Sequence, residues 1–282
     1  MKLIRDVHEM QATARSARLL DTSIAFVPTM GALHAGHLSL VRCARQKARL
    51  VVVSIFVNPL QFGPKEDYGS YPRTLEADCA LLEAEGVDIV FTPSPEQMYP
   101  PGATTVVYVE GLSEKLDGLS RPGHFRGVST VVSKLFHIVQ PDFAIFGQKD
   151  AAQVAVLRRM VRDLNMDLEL IVAPILRDAD GLALSSRNAY LSFDERQQAL
   201  VLHRALNQVE QAATQGEQKA AKLRELALQT IAAEPAAQLD YFAIVSPETL
   251  EPLEDVANGA LVAVAASFGR TRLIDNLLLP SR

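Results

Sequence analysis

The chain has 282 residues, of which 48% are apolar and 22% charged, and its formal net charge is -5. This composition is typical of a globular protein, and interspersed acids and bases argue against a nucleic-acid-binding surface. No apolar run approaches the ~20 residues of a membrane span, and residues 1–20 lack the apolar core of a signal peptide, so we expect no membrane insertion. Cys43 and Cys79 lie in separate predicted helices, which indicates reduced thiols and a cytoplasmic protein.

Up to about residue 175, short β-branched runs alternate with helical patterns. We predict strands at 23–27, 50–57, 87–92, 142–147 and 167–173, and helices at about 37–48, from Thr74 to Gly86, at 128–139 and at 150–163. The run at 50–57 is apolar at nearly every position, as in a strand buried on both faces of a parallel sheet. The βαβα order predicts a twisted parallel sheet with helices on both faces, an α/β fold.

The pattern changes after about residue 175. Helices are predicted at about 194–213 and 217–233, and strands at 239–246, 260–268 and 271–279, with a hairpin turn at Gly269 and Arg270. Helices followed by clustered strands indicate a smaller α+β domain. The expected division is therefore 1–175 and 176–282.

Polar segments follow several of the predicted strands. These segments are PTMGALHAGH (28–37), NPLQFG (58–63), GQKDAAQ (147–153) and RDADGLALSSRN (177–188). Ligands of an open α/β sheet bind beyond the carboxyl ends of its strands. We therefore expect these segments to converge on one edge and to form a ligand site there.

His34 and His37 lie where a strand passes into a helix. A helix N-terminus favours a phosphate through its N–H groups and its dipole, and imidazole N–H groups would add donors. A metal site would need a third ligand, which the nearby sequence does not offer. Two polar residues at a surface turn are the remaining interpretation.

The other segments also allow two interpretations each. Lys149 and Asp150 suit a polyphosphate and ribose hydroxyls, or simply an exposed helix start. In LSSRN (184–188), two hydroxyls beside an arginine suit a phosphate, or a polar capping loop. Asn58 and Gln61 suit the orientation of a polar substrate whose charge need not be met by a full cation, or a plain turn around Pro59.

Two further polar clusters precede predicted helices. Arg121, His124 and Arg126 form either a basic patch near an anionic ligand or a solvated loop. In YPRTLEAD (71–78), Thr74 is predicted to cap the helix that follows.

Taken together, the motifs resemble one known family. PTMGALHAGH, SIFVNPLQF, YPRTLEAD, RPGHFRGVSTVV, FGQKD, DGLALSSRN and RLIDN occur in the order and spacing of the pantothenate synthetase (pantoate–β-alanine ligase) family. The HxGH motif alone marks only the wider nucleotidyltransferase superfamily, and NPxQF together with SSRN narrows the resemblance. It covers essentially the whole chain and implies a Rossmann-like N-terminal domain, a smaller C-terminal domain acting as a mobile lid, and a homodimer.

The resemblance also implies a reaction. The carboxylate of pantoate attacks the α-phosphate of Mg-ATP, which releases pyrophosphate and leaves an enzyme-bound pantoyl adenylate. The amine of β-alanine then attacks the acyl carbon and AMP leaves. The implied small-molecule partners are ATP, pantoate and β-alanine, and the implied cofactor is Mg²⁺.

The resemblance further implies the site residues. The catalytic set would be His37, as proton donor, with His34, Lys149 and Arg187. The ATP-binding set would be Met30, Gly31, His34, His37, Gly147, Gln148, Lys149, Asp150, Leu176, Leu184, Ser185, Ser186 and Arg187. Pantoate and β-alanine would be bound by Gln61, Gln153 and Asn58. Asp78 is the candidate metal ligand, with Mg²⁺ held mainly through ATP.

The sequence departs from the family pattern at three places. Gln148 stands where the family usually has glutamate, the alanines at 151–152 stand where it often has an aromatic residue and a glutamine, and Ala77 stands where some members have a second aspartate. Gln153 is kept, so the implied pantoate contact is retained. Asp78 is left without a neighbouring carboxylate.

Two other functions are compatible with part of the pattern. A nucleotidyltransferase with a phosphorylated acceptor would call for cations where Gln61 and Gln153 stand. A catalytically silent nucleotide-binding protein need not keep every predicted phosphate donor.

Overall fold

The computed structural model describes residues 1–64 and 66–281, and its N-terminal part is built on a parallel sheet. The strands are β1 (Lys2–Ile4), β2 (Ile24–Thr29), β3 (Leu50–Ile55), β4 (Ile89–Phe91), β5 (Phe143–Gly147) and β6 (Glu169–Ala173). They pair in the order β1-β4-β3-β2-β5-β6. The strand order therefore reverses between β2 and β5, as in a doubly wound fold.

Helices cover both faces of this sheet, which confirms the predicted α/β architecture. They are α1 (Val7–Leu19), α2 (Ala35–Lys47), α3 (Leu75–Ala84), α4 (Pro95–Met98), α5 (Asp117–Ser120), α6 (His124–Val139) and α7 (Ala151–Asp163). Alternate residues of β2 serve the two faces: Ile24 and Phe26 belong to the core with α1, α6 and α7, and Ala25 and Val27 to the core with α2 and α3.

No element was predicted within residues 1–20, where the structure has β1 and α1. Three residues at a sheet edge are too few for a periodic pattern to be visible. Helix α1 buries Met10 and two alanines, Ala14 and Ala17, so its apolar stripe is weak in the sequence. Elsewhere the predicted elements exist with shifted ends; α6, for example, begins four residues before its predicted start at 128.

The C-terminal part is the predicted α+β unit. It contains α8 (Phe193–Thr214), α9 (Ala220–Ala232), β7 (Gln238–Val245), β8 (Asn258–Phe268) and β9 (Thr271–Ser281), with the three strands in an antiparallel sheet. Gly269 and Arg270 form the predicted hairpin turn between β8 and β9. None of the helices in the described parts of the chain has the length and apolar character that a membrane crossing requires.

The C-terminal sheet packs in two directions. Val262 and Val264 of β8 join a core with α8 and α9, whereas Leu261 and Ala263 join the core of the parallel sheet. Strand β9 lies beside the carboxyl end of β5, where Asn276 hydrogen-bonds to the carbonyls of Gln148 and Lys149. The division at residue 175 stays a prediction.

Candidate active site

The carboxyl ends of β2 and β5 open onto a cleft at the point where the strand order reverses. One wall is apolar and is formed by Phe56, Val128, Val131, Val132, Leu135 and Phe146. Polar side chains complete the lining, namely His37, Asn58, Gln61, Tyr71, Arg121, His124, Asp150, Gln153 and Arg187. An adjoining cleft reaches the C-terminal unit and is lined by Lys149, Ser185, Arg187 and Arg272, among others. Residues from all four predicted strand-end segments therefore meet at one edge of the sheet.

The two histidines of the HxGH motif form the first turn of α2. His34 is the N-cap residue, and its Nδ1 accepts a hydrogen bond from the backbone N–H of Gly36 at 3.1 Å. The Nδ1 of His37 accepts from the backbone N–H of His34 at 3.4 Å, and the ring centres lie 4.2 Å apart. Because Nδ1 is the acceptor in both rings, a neutral imidazole at either position carries its hydrogen on Nε2.

The glycine between the histidines is required by the packing of His34. A Cβ atom at Gly36 would lie 2.8 Å from Cε1 of the His34 ring, which is closer than side chains tolerate. The histidine at N-cap and the glycine two residues later are thus one structural unit. This explains the spacing in the motif independently of any ligand.

Both imidazoles are neutral at neutral pH. Burial lowers the pKa of His37 to about 3, and the neighbouring His34 ring and Lys149 act in the same direction. Burial also lowers the pKa of His34, again with a contribution from the Lys149 ammonium. The pair therefore offers N–H donors without charge of its own, and Lys149 supplies the positive charge of this corner.

Asp78, the candidate metal ligand, lies beneath the turn that precedes His34 and is only 2% exposed. Its carboxylate accepts hydrogen bonds from the backbone N–H groups of Ala32 (3.0 Å) and Leu33 (2.8 Å) and from the hydroxyl of Thr74 (3.2 Å). Thr74 is the N-cap residue of α3, as predicted, but its hydroxyl donates to Asp78 and makes no cap bond to the backbone of the helix. Asp78 therefore braces the turn at 31–33, where Ala32 has a φ of 51°.

This bracing role predicts the behaviour of Asp78→Ala. Removing the carboxylate leaves two backbone N–H groups without their partner, so the free energy of unfolding should fall by about 2–3 kcal/mol. Urea denaturation without ATP or Mg²⁺ measures it. Glu76→Ala, an exposed carboxylate in the same helical turn, is the control for lost charge. Equal stability of the two variants in the absence of metal would contradict the bracing role.

The acidic, histidine and cysteine side chains of the described residues do not form a metal-binding cluster. Within residues 1–64 and 66–281, no group of three or more His, Cys, Asp or Glu side chains could hold a metal ion. The Nδ1 atoms of His34 and His37 are already occupied by backbone N–H groups. Asp78 is occupied by three donors, so the described residues do not fit a protein-held cation at this position.

Gln61 lies in the wall of the first cleft, on a short 3₁₀ helix after β3. Its side-chain oxygen accepts from Nδ2 of Asn58 at 3.1 Å, and its Nε2 lies 3.0 Å from the sulfur of Met30. Asn58 is 1% exposed, and it also donates to the carbonyl of Gly127 and accepts from the hydroxyl of Tyr99. The side-chain amide of Asn58 is thus engaged by protein groups and holds the orientation of the Gln61 amide, while its predicted contact with substrate stays a prediction.

The close approach of α6 to this 3₁₀ helix depends on Gly127. A Cβ atom at this position would lie 2.2 Å from the carbonyl oxygen of Leu60. The glycine therefore allows the backbone contact that brings the apolar wall of α6 opposite Gln61.

Arg121 and His124 lie in the same wall, so the solvated-loop interpretation does not hold for them, although Arg126 is exposed. Arg121 donates two hydrogen bonds, of 2.8 and 2.6 Å, to the carboxylate of Glu66. His124 donates from Nδ1 to the carbonyl of Gln61 at 2.8 Å, and its Nε2 faces the Arg121 guanidinium at 3.1 Å. Burial and Arg121 lower the pKa of His124 to about 4.

Of the remaining predicted ATP-binding residues, Ser185 and Arg187 line the second cleft. Ser185 accepts from the backbone N–H of Arg187 at 3.3 Å, and the Arg187 guanidinium lies 3.4 Å from Asp67. The backbone N–H of Leu184 donates to the carbonyl of Leu176 at 3.0 Å, which holds these two leucines in one hairpin.

Other predicted residues are placed at the strand ends. Met30 and Gly31 follow β2, Gly147 ends β5, and Lys149 and Asp150 begin the next helical turn, with the Lys149 ammonium 4.0 Å from the Asp150 carboxylate. Gln148 is directed toward β9 and hydrogen-bonds to Asn276. Arg272 and Asn276 were not predicted as neighbours of the site, and the polar residues within the apolar run of β9 were the available signal. Tyr71, from the segment YPRTLEAD, lines the first cleft.

Comparisons with known proteins give consistent relatives. The family model described as pantoate-beta-alanine ligase matches residues 2–278. Pantothenate synthetase of Koribacter versatilis is 63% identical over 279 residues, covering 99% of this chain and 96% of the relative, and that of Pelotomaculum thermopropionicum is 56% identical, covering 99% of each.

Solved structures agree with these relatives. Pantothenate synthetase of Thermus thermophilus superposes with a TM-score of 0.93 at 50% identity, covering 98% of this chain and 99% of the other. Pantoate-beta-alanine ligase of Francisella tularensis, complexed with beta-gamma ATP and beta-alanine, has a TM-score of 0.81 at 34% identity, covering 99% and 97%.

Proposed function

Because the chain belongs to the pantoate-beta-alanine ligase family, we infer that it is an ATP-dependent ligase that joins pantoate to β-alanine and forms pantothenate, AMP and pyrophosphate. The assignment of residues rests on one observation: neutral imidazoles, cations and uncharged glutamines meet at one edge of the sheet. Cations and N–H donors suit the triphosphate of ATP. Uncharged amides beside an apolar wall suit a small hydroxy acid.

The first cleft supports pantoate as the acceptor. Gln61 and Gln153 offer amide groups for its hydroxyls and carboxylate, and the α6 wall suits its dimethyl-substituted carbon. A phosphorylated acceptor would need free cations here, whereas Arg121 in this wall is paired with Glu66. These features favour the ligase over a nucleotidyltransferase that acts on a phosphorylated substrate.

The first chemical step is the attack of a pantoate carboxylate oxygen on the α-phosphorus of ATP, with pyrophosphate as the leaving group. We assign Lys149, Ser185, Ser186 and Arg187 to the triphosphate. The neutral rings of His34 and His37 donate from Nε2 to phosphoryl oxygens whose negative charge grows in the transition state. Because burial lowers the pKa of His37 to about 3 in the free protein, the ring meets ATP in its neutral form and donates a hydrogen bond.

We propose that Mg²⁺ enters with ATP. Its usual ligands in such sites are phosphate oxygens and waters with few protein groups, and the buried Asp78 already accepts three hydrogen bonds. The nucleoside then lies along Met30, Gly147 and Asp150, beside the hairpin of Leu176 and Leu184.

The second step is the attack of the neutral β-alanine amine on the acyl carbon of the adenylate. The bond between that carbon and the phosphate oxygen breaks, and AMP leaves with the oxygen that pantoate contributed. The anhydride reacts readily with water, so the site must exclude it. We assign this shielding to the C-terminal unit, residues 176–282, which borders the second cleft.

The adenylate intermediate is tested by oxygen labelling. Pantoate with ¹⁸O in its carboxylate should transfer one labelled oxygen to AMP, because the C–O bond breaks in the second step while the O–P bond remains. Mass spectrometry of AMP and pyrophosphate after complete turnover measures it. AMP without label would contradict an acyl adenylate, and label in pyrophosphate would indicate attack at another phosphorus.

We also propose a homodimer and a cytoplasmic location. Segment 103–109 is rich in β-branched residues, has no strand partner among the described residues and exposes Val106 and Tyr108, so it suits pairing with a second copy. Cys43 and Cys79 are free thiols, as expected in a reducing compartment.

A further inference from the structure

The turn that carries Lys149 is held from the C-terminal unit by Asn276 of β9. The Nδ2 group of Asn276 donates to the carbonyl oxygens of Gln148 (3.0 Å) and Lys149 (2.9 Å). Its Oδ1 accepts from Nε2 of Gln148 at 2.9 Å. Asn276 is 3% exposed, and both its amide hydrogens are engaged. The amide therefore has one orientation, and the two carbonyls have a fixed place.

Gln148 is the matched partner in this arrangement. Its side chain supplies the N–H that Oδ1 of Asn276 accepts. A glutamate, which the family resemblance led us to expect here, has no N–H to offer at neutral pH, and both donors of Asn276 are used by the backbone. The glutamine at 148, where the family usually has glutamate, is thus matched to Asn276 outside the cleft.

The preceding residue of β9 holds the other ATP-binding segment. Asp275 accepts two hydrogen bonds from Arg177, of 2.7 and 3.0 Å, and Arg177 also donates to the carbonyl of Gly181 at 3.1 Å. Consecutive residues of a strand point to opposite faces. Strand β9 therefore fixes the turn at 148–149 on one side and the hairpin at 177–181 on the other.

Fixing the backbone of Lys149 matters because its stem is long and flexible. Its ammonium must reach the phosphates from a turn whose two carbonyls accept hydrogen bonds from Asn276. A displacement of about 1 Å from the productive geometry can cost about 10²-fold in rate. Leu273 and Ile274 of the same strand line the second cleft, whereas Asn276 is buried behind the turn.

We propose that Asn276 is a positioning residue for Lys149 and that Gln148 fixes the orientation of its amide. The C-terminal strand thereby acts on ATP binding without touching ATP. This inference rests on the proposed function only for the role of Lys149 in binding the triphosphate.

Calorimetric titration of Mg-ATP into the enzyme without pantoate tests the proposal, since no turnover occurs. Asn276→Asp keeps the shape of the side chain but replaces the Nδ2 group, which donates to two carbonyls, by an oxygen that repels them. The Kd for ATP should therefore rise about tenfold or more. Gln148→Leu removes one of the three bonds and should raise it about two- to threefold. Thr271→Val, a buried change on the same strand away from the turn, should leave ATP affinity unchanged.

A double-mutant cycle with Lys149→Ala separates positioning from a general effect on the fold. If Asn276 acts through Lys149, Asn276→Asp causes no further loss of ATP affinity once Lys149 is alanine. The same tenfold loss in both backgrounds would overturn the inference and leave the proposed function intact. ATP binding by Lys149→Ala equal to wild type would overturn both the assigned role of Lys149 and the inference. Thermal denaturation checks that each variant is folded. If Asn276→Asp does not fold, Gln148→Leu replaces it in the same double-mutant cycle.

Discussion

His37→Ala lowers kcat for pantothenate formation by about 10²–10³, which corresponds to roughly 2.7–4 kcal/mol of lost transition-state stabilisation. The ring is neutral, its Nδ1 accepts from the backbone N–H of His34, and it lines the first cleft, which leaves Nε2–H as its donor. Charge grows on the phosphoryl oxygens as pyrophosphate leaves, so the donor contributes mainly in the transition state. We therefore expect kcat to fall much more than the affinity for ATP.

Steady-state formation of AMP at saturating substrates measures this effect. His8→Ala, an exposed histidine on α1, is the control for the loss of an imidazole. His37→Gln keeps an N–H donor and should recover part of the activity. Near-full turnover by His37→Ala would remove His37 from the site.

Gln61→Ala lowers kcat/KM for pantoate by about 10- to 100-fold, and it changes ATP affinity by less than about threefold. The Gln61 amide is oriented by the buried Asn58 and by Met30, so it is preorganised to bind a polar substrate. Truncation leaves the polar groups of pantoate without their partner in a cleft whose opposite wall is apolar. The loss therefore falls on pantoate and not on the nucleotide.

Varying pantoate at saturating ATP and then ATP at saturating pantoate separates the two effects. Gln97→Ala, an exposed glutamine on α4, is the matched control. An unchanged KM and kcat for pantoate would contradict the assignment of Gln61, and an equal loss for both substrates would point to a general disturbance of the cleft.

Much of the fold could be predicted because its signals are local. Strand β3 is apolar at nearly every position because both faces of the parallel sheet are covered. The alternation of such strands with helices along the chain predicted the α/β fold class. The expectation that ligands bind beyond the carboxyl ends of the strands also predicted that the HxGH turn and Lys149 lie at one edge of the sheet. Short edge elements such as β1 could not be predicted, because three residues show no periodicity.

The rest of the site depends on contacts between residues far apart in the sequence. Arg121 belongs to the cleft wall because Gly127 lets α6 approach the backbone at Leu60, and no local pattern indicates that contact. Asn276 reaches the turn at Lys149 only through the pairing of the C-terminal sheet. At Thr74 the local rule located the N-cap position of α3, but the hydroxyl donates to Asp78, whose carboxylate is held by the distant backbone of Ala32 and Leu33.

The central claim is that ATP is cleaved to AMP and pyrophosphate by the carboxylate of pantoate. Omission of one substrate at a time, with both nucleotide products and pyrophosphate quantified, tests it most directly. With ATP, Mg²⁺ and pantoate alone, we expect a burst of pyrophosphate close to the enzyme concentration. Addition of β-alanine should then give continuous AMP, pyrophosphate and pantothenate in equal amounts. ADP and phosphate as products, or pyrophosphate release that does not require pantoate, would contradict the account.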